Sequence, residues 1–489
     1  MNKLKLNGIN LNRLVPLLIF ATFFIRLWFF WQHPFSGDES GNVEKAILLA
    51  KNLFSYQSPI ANYTKGFEPL LIHNHPPIEI LVILPSLLFA PKEASVRLVF
   101  ITISLLAIFY SYHFLKKNFS KSVALPFLLL AGFSINAAWW SRTAVFTSLT
   151  MASSLLISLA LINFHHHPSR KSLFILSLST GLGLLIFQPL ALFIPSVIWA
   201  VWSQKEKINF RYIYQAAALL VLLPALFYIP YIKYAAVNQI KTAGFNYLFT
   251  SKLNSPWYLI ANLNGFWHDF VADHSLFLLV FLLSIPLVIA NKLKFARQVF
   301  LGAALYFVVF LFKIRVAESY SVGIYGVLCL LAAFTLSTRK PLLILVIVFV
   351  LVVNTVGSLR LIRGQQNPTL FGSNSSQYIP SQIKKIGELI INCQLQDNET
   401  YLSTGDAWQI SYYFGRHSLL ETDGLQNRIR LIQFFSQDKI ALEGKTDFIK
   451  AIHFKTGDLP QALEIKLRQK ALSQKQFFND TVLLYKNCF

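Results

Sequence analysis

Asp38 and Glu39 stand side by side in "FSGDES", residues 35 to 40, in a chain with only 22 acids among 489 residues. A carboxylate so placed could take the proton of an attacking hydroxyl or amine. Two further stretches hold complementary groups: "HNHPPIE" carries His73, His75 and Glu79 around the Pro76-Pro77 turn, and "WWSR" ends on Arg142. Cations of this kind could hold a departing phosphate and neutralise its developing charge, a role that Lys313 and Arg315 in "FKIRVAESY" could share. The set suits group transfer from a phosphate leaving group at a water–membrane interface. Each part alone also has a plain structural reading: a solvated acidic loop, a rigid proline turn, and an arginine anchoring a helix end by snorkelling.

The elements that must position these groups are membrane helices. Hydrophobic residues make up 54% of the chain and charged residues 13%, far from the composition of a soluble protein. Eleven apolar runs are expected to span, at about 14–31, 95–115, 122–140, 143–164, 172–188, 190–203, 212–234, 275–291, 299–313, 320–337 and 342–357. The run 78–90 is too short for a span, since its helix would rise only about 20 Å against a hydrocarbon core of about 30 Å, so it reads as an interfacial helix.

Charge supports the same threading. Sixteen cations, including Lys3, Lys116, Arg170, Lys205, Lys292 and Arg339, fall on the N-terminal side of the membrane with one acid, Glu206, while the other nine acids before residue 357 lie on or near the opposite face. The N-terminus is therefore expected in the cytoplasm and Asp38, His75 and Arg142 at the outer face. The formal net charge of +22 is explained by these loops, which excludes the nucleic-acid reading it first invites. The first apolar stretch, lacking a small-residue cleavage site, reads as a retained helix of a multi-pass cell-membrane protein.

Two domains follow: a transmembrane domain over 1–357 and a polar extracytoplasmic domain over 358–489 holding 12 of the 22 acids. In the latter, "TYLSTGD", "TDFIKAIHF" and "DTVLLYKN" have strand character, and "SQIKKIGELIINC" and "LPQALEIKLRQKAL" have helical spacing, so a small α/β domain is expected. Cys393 and Cys488 both lie there, and a disulfide between them is open; Cys329 lies inside a span. The glycines of "STGLGLLIFQP" read as close helix packing, and Gln188-Pro189 as a helix break pointing to a lipid groove. Adjacent His165, His166 and His167 cannot all face one ion on a regular helix.

The stretches "GDESGNVEKAILLAKNL", "HNHPPIEILVILPSLLFAPKEASVRLVF" and "WWSRTAVFTSLTMASSLL" resemble the N-terminal half of the C-superfamily glycosyltransferases related to protein O-mannosyltransferases and bacterial aminoarabinose lipid A transferases. The resemblance covers residues 14–165 well and the remainder in outline. It implies an all-α polytopic membrane fold and transfer of a sugar from a polyprenyl phosphate-linked donor to an acceptor on the outer face. By the same resemblance Asp38 matches the base or acceptor-orienting carboxylate, Glu39 its neighbour, His75 the residue before Pro-Pro, Arg97 the arginine opening the second span, and Arg142 the arginine associated with the lipid phosphate. Some relatives bind a divalent ion, for which His268, Asp269 and Asp273 in "GFWHDFVADHS" are the candidate ligands. Two positions depart from the pattern: Thr147 stands where many members have Asp, and Asn74-His75 where the aminoarabinose type has Glu-Lys.

Competing readings are a transporter or flippase for a lipid-linked or polar substrate, and an inactive scaffold relative. Transporters favour paired repeats and mid-membrane charges. This sequence has no visible repeat, and its acids gather at one face.

Overall fold

The computed structural model describes residues 5–6, 9–27, 37–54, 70, 77–89, 93–237, 275–290, 293–313, 318–362, 400–403, 430–433, 449–455, 464–465, 468–469, 471–477 and 480–484. The chain divides into two compact units, one of Met1–Gln32 with Lys45–Gln377, the other of His33–Glu44 with Tyr378–Phe489. Of the residues singled out above, His73, His75, His268, Asp269, Asp273, Arg315, Cys393 and Cys488 lie outside the described residues.

The first unit is helical. After a two-residue hairpin, β1 (Lys5–Leu6) with β2 (Ile9–Asn10), come α1 (Leu11–Leu27), α2 (Gly37–Phe54, which begins in the other unit), α3 (Ile78–Leu87) and α4 (Glu93–Asn118). There follow α5 (Lys121–Phe127), a π-helical segment (Leu128–Gly132), α6 (Ile135–Ser141), α7 (Phe146–His166), α8 (Arg170–Leu184), a 3-10 segment (Gln188–Phe193) and α9 (Ile194–Ser203). The described helices end with α10 (Phe210–Val237), α11 (Ser275–Ile289), α12 (Lys294–Lys313), α13 (Glu318–Ser337) and α14 (Lys340–Ile362). Every expected span overlaps one or more of these helices. By length and apolar composition four are sufficient alone to cross a membrane: Glu93–Asn118, Phe146–His166, Phe210–Lys233 and Pro341–Leu359. The short helix expected over 78–90 is α3, ten residues long.

Two expectations need revision. "GDES" is not a loop but the opening of α2. Acids favour the first turn of a helix because its unpaired N–H groups present partial positive charge, and the spacing Ser36-x-x-Glu39 is that of a capping box. The run 122–140 is also not one helix, since it passes through the π segment and a bend at Phe133–Ser134 before α6 begins.

The core is built on α7 and α13, with α4, α8, α11 and α12 packed around them. Small residues allow that closeness. A Cβ at Gly326 would meet the Leu155 side chain at 2.8 Å, and the Ser154 hydroxyl donates to the Gly323 carbonyl, so α13 rests directly on α7. Where lipid is as apolar as leucine, such backbone approach replaces the hydrophobic effect as the source of helix association. Gly181 and Gly183 serve the same end on α8; a Cβ on the second would lie 2.8 Å from Ser153 Oγ.

In the second unit five strands, β3 (Thr400–Ser403), β4 (Arg430–Gln433), β5 (Ile449–Lys455), β6 (Ser473–Phe477) and β7 (Asp480–Leu484), form one sheet in the order β4-β3-β5-β7-β6. β3 pairs in parallel with β4 and β5, while β7 runs antiparallel between β5 and β6. Val482, Leu483 and Leu484 of β7 are buried. Before β6, Arg468 Nε and Nη2 both donate to Glu464 Oε1, at 2.9 and 2.7 Å.

Candidate active site

The interruption at 128–135 is the device that presents Arg142. A π turn and a bend leave carbonyls with no partner in their own helix, which inside a membrane must be met from elsewhere. Each is met by a side chain from another helix. Tyr325 on α13 donates to Leu130 O at 2.9 Å, and Arg26 on α1 donates to Gly132 O at 2.6 Å and Ala131 O at 3.2 Å. Asn354 on α14 donates to Phe133 O and accepts from Ile135 N at 2.8 Å. Ser134 then caps α6 by accepting from Ala137 N. α6 runs only seven residues, with its N-terminus fixed by Asn354 and Ser134 and its C-cap formed by Arg142.

At that cap the Arg142 side chain is 5% exposed and its guanidinium carbon lies 3.9 Å from the centre of the Trp139 ring. A cation held over an indole face and out of water is a cation with a fixed direction. Beyond the turn, Phe146 opens α7 and stacks on Phe187 with ring centres 4.4 Å apart and planes at 12°. Phe187 belongs to the second interruption, between α8 and the 3-10 segment that begins at Gln188-Pro189.

The same interruption receives α3. Ile78 N donates to Leu185 O at 3.4 Å, and Tyr228 on α10 donates to Leu184 O at 2.9 Å. Glu79, the residue after Ile78, is 1% exposed. The second interruption is therefore joined both by the Ile78 helix start and by Phe146, which lies four residues past Arg142. Thr147, next to Phe146, is buried, and its hydroxyl has no hydrogen-bond partner among the described residues. Glu93 and Arg97, on the first turns of α4, are buried as well.

The remaining candidates are distributed as follows. Asp38 and Glu39 are the second and third residues of α2, and Glu39 is buried within the second compact unit. Lys313 is the last residue of α12. The three adjacent histidines turn apart: the rings of His165 and His166 stand at 88°, and His166 packs on Phe119 and Phe295 with ring centres 5.5 Å away in each case. Among the described residues no group of three His, Cys, Asp or Glu side chains gathers as a metal site would require. Cys329 is a free, buried thiol.

Arg26 and Asn354 were not among the residues singled out from sequence. Each carried a signal, an arginine and an asparagine inside strongly apolar runs, which marks a polar group with a partner in the bundle.

Residues 74–230 match the family model described as dolichyl-phosphate-mannose-protein mannosyltransferase. No curated protein sequence gives a significant match. Among solved structures the chain is similar to ArnT from Cupriavidus metallidurans in the apo state, at 13% identity and a TM-score of 0.60 over 97% of this chain and 98% of that one. The same protein bound to undecaprenyl phosphate matches at 14% identity and a TM-score of 0.59, again over 97% and 98%. The oligosaccharyltransferase AglB from Archaeoglobus fulgidus, in complex with an inhibitory peptide and a dolichol-phosphate, matches at 10% identity and a TM-score of 0.50, over 91% of this chain and 69% of that one. The chain thus shares the fold of ArnT and of the archaeal oligosaccharyltransferase, and its residues 74–230 match the mannosyltransferase family model.

Proposed function

We propose that this protein is an integral membrane glycosyltransferase that moves one sugar, hexosyl or pentosyl, from a polyprenyl phosphate-linked donor to an acceptor on the outer face of the membrane. The observation that carries the reading is the buried Arg142 guanidinium fixed over Trp139 at a helix junction, in a fold shared with a protein solved with undecaprenyl phosphate. Eleven spans, a cytoplasmic N-terminus and an outer α/β domain from about residue 358 are the membrane arrangement of this reading.

In the reaction, an acceptor O–H or N–H attacks C1 of the sugar, the C1–O bond to phosphate breaks with its electron pair going to the phosphate oxygen, and the acceptor's proton passes to Asp38. Glu39 stands beside Asp38 as its neighbour in the acid pair. Arg142, held rigid over Trp139, stabilises the leaving phosphate as its charge develops, and His75, Lys313 and Arg315 add to that cationic environment. A direct displacement of this kind inverts the configuration at C1. A divalent ion, if one takes part, would be held by His268, Asp269 and Asp273 and would supply further charge to the phosphate.

The test is release of polyprenyl phosphate by the purified protein from a panel of polyprenyl phosphate sugars, with a cell-envelope extract supplying the acceptor. Loss of one oxyanion-type donor costs about 10²–10³ in rate. Arg142→Gln is expected to lower kcat by that order, and Asp38→Asn to abolish release while leaving donor binding in place. Equal release by the wild type and Asp38→Asn would remove the carboxylate from the chemistry. If the wild type consumes no donor in the panel, a transport role takes over as the leading account.

A further inference from the structure

Away from the site, a cavity of about 340 Å³ opens between α1, the α5–π segment, the end of α13 and α14. One wall carries Ser122, Leu129 and Phe133, and the facing wall carries Leu343, Ile347 and Leu351 at one-turn spacing, with Ala21 leaving room between them. From Ser122 to Phe133 the wall extends about 16 Å at the helical rise per residue. Leu17 and Leu351 on its margins are exposed, so the groove opens on the surface that faces lipid. At one end it is stopped by the backbone clamp, because Phe133 and Leu351 lie within a turn of the bonds that Asn354 makes.

The other end is polar and cationic. The Ser122 and Ser337 side chains line it, Lys121 immediately precedes the first, and Arg339 follows the second by two residues; both cations are exposed. Residues 9–27, 94–133 and 319–362, which contain all four lining segments, include no acidic residue. The groove is thus a long apolar slot with exposed positive charge at one end, Arg26 at the other being buried and bonded to backbone carbonyls, and it is complementary to a lipid whose hydrocarbon chain is topped by an anion. We propose that it is a binding site for a membrane phospholipid with an anionic headgroup, one acyl chain in the groove and the phosphate at Lys121 and Arg339. This site does not depend on the transferase reading, since none of the residues assigned to the reaction lines it.

Native mass spectrometry of the full-length protein in detergent, titrated with phosphatidylglycerol and phosphatidylcholine of identical chains, tests it. One phosphatidylglycerol is expected to be retained in preference to phosphatidylcholine. Each cation near an anionic headgroup contributes on the order of a fivefold change in affinity, so Lys121→Gln with Arg339→Gln should bring the two lipids close to parity. Both side chains are exposed, and the double variant is expected to fold normally. Ala21→Phe, which fills the groove, should reduce retention of both lipids. Equal retention of the two lipids by the wild type, an unchanged preference in the charge variant, or displacement of phosphatidylglycerol by equimolar undecaprenyl phosphate would each overturn the assignment, the last because the groove would then belong to the donor.

Discussion

The helical unit contains two interruptions, and they are stitched by different chemistry. At 128–135 the exposed backbone groups are met by Arg26, Tyr325 and Asn354, three polar side chains brought by three other helices. At 184–193 the contacts are of another kind, among them a phenol on Leu184 O, a backbone N–H at 3.4 Å on Leu185 O, and the stacked pair Phe146–Phe187. The first interruption is over-determined and carries Arg142 on a short rigid helix. The second is joined by α3 through a backbone N–H at 3.4 Å. The proposed reaction, which holds a phosphate still while admitting a long lipid, would use both kinds of break, one to fix and one to yield.

Substitutions can test that contrast, beginning with the largest effect. Arg26→Met removes the donors to the Ala131 and Gly132 carbonyls and should cost about 3 kcal/mol, since two buried acceptors lose their partners. Thermal unfolding in detergent measures it; an unchanged melting temperature would mean that the guanidinium does not hold the break. Asn354→Leu strips Phe133 O and Ile135 N together, at about 2 kcal/mol, and should also depress transferase kcat through Arg142, with Asn354→Asp recovering part of both because it keeps the acceptor. Gly132→Ala brings a Cβ to 2.7 Å from Thr22 Oγ1. Overpacking of this kind costs about 1–2 kcal/mol. Combining it with Thr22→Ala should restore most of the loss, and strict additivity in the double variant would refute the close approach. Phe187→Leu at the second break should cost only about 1 kcal/mol, the value of an aromatic pair, and should raise KM for the polyprenyl-linked donor more than it lowers kcat. A stability loss there equal to that of Arg26→Met would erase the distinction between the two breaks.

Much of the helical unit was legible in the sequence because lipid imposes long apolar runs and gathers basic residues in the short loops. The short helix Ile78–Leu87 was legible for the same reason, since its run is too brief to span. The π segment was not, because "LPFLLLAGFSIN" is as apolar as any continuous span, and what bends it lies in α1, α13 and α14. Arg142 stood out as an arginine at a helix junction, whereas Arg26 passed unnoticed, since its partners are backbone carbonyls that no motif records. The helix at Gly37–Phe54 was legible in principle from Ser36-x-x-Glu39, but two adjacent acids after an apolar run also fit a solvated loop. In the polar tail β3, β5 and β7 coincide with stretches of strand character, while β4, "RLIQ", and β6, "SQKQF", carry too few apolar residues for alternation to be seen.

His33–Glu44 belong to the same compact unit as Tyr378–Phe489, so that unit cannot be complete until the ribosome has made the last part of the chain. At about 5–20 residues per second, this segment waits on the order of twenty seconds to a minute and a half for the strands of its unit. During that interval the membrane bundle can form around Arg142 while Asp38 and Glu39 still lack their final surroundings. A chain cut short near residue 377 would leave the helical unit with its acid pair unassembled and, by the proposed reaction, inert toward donor.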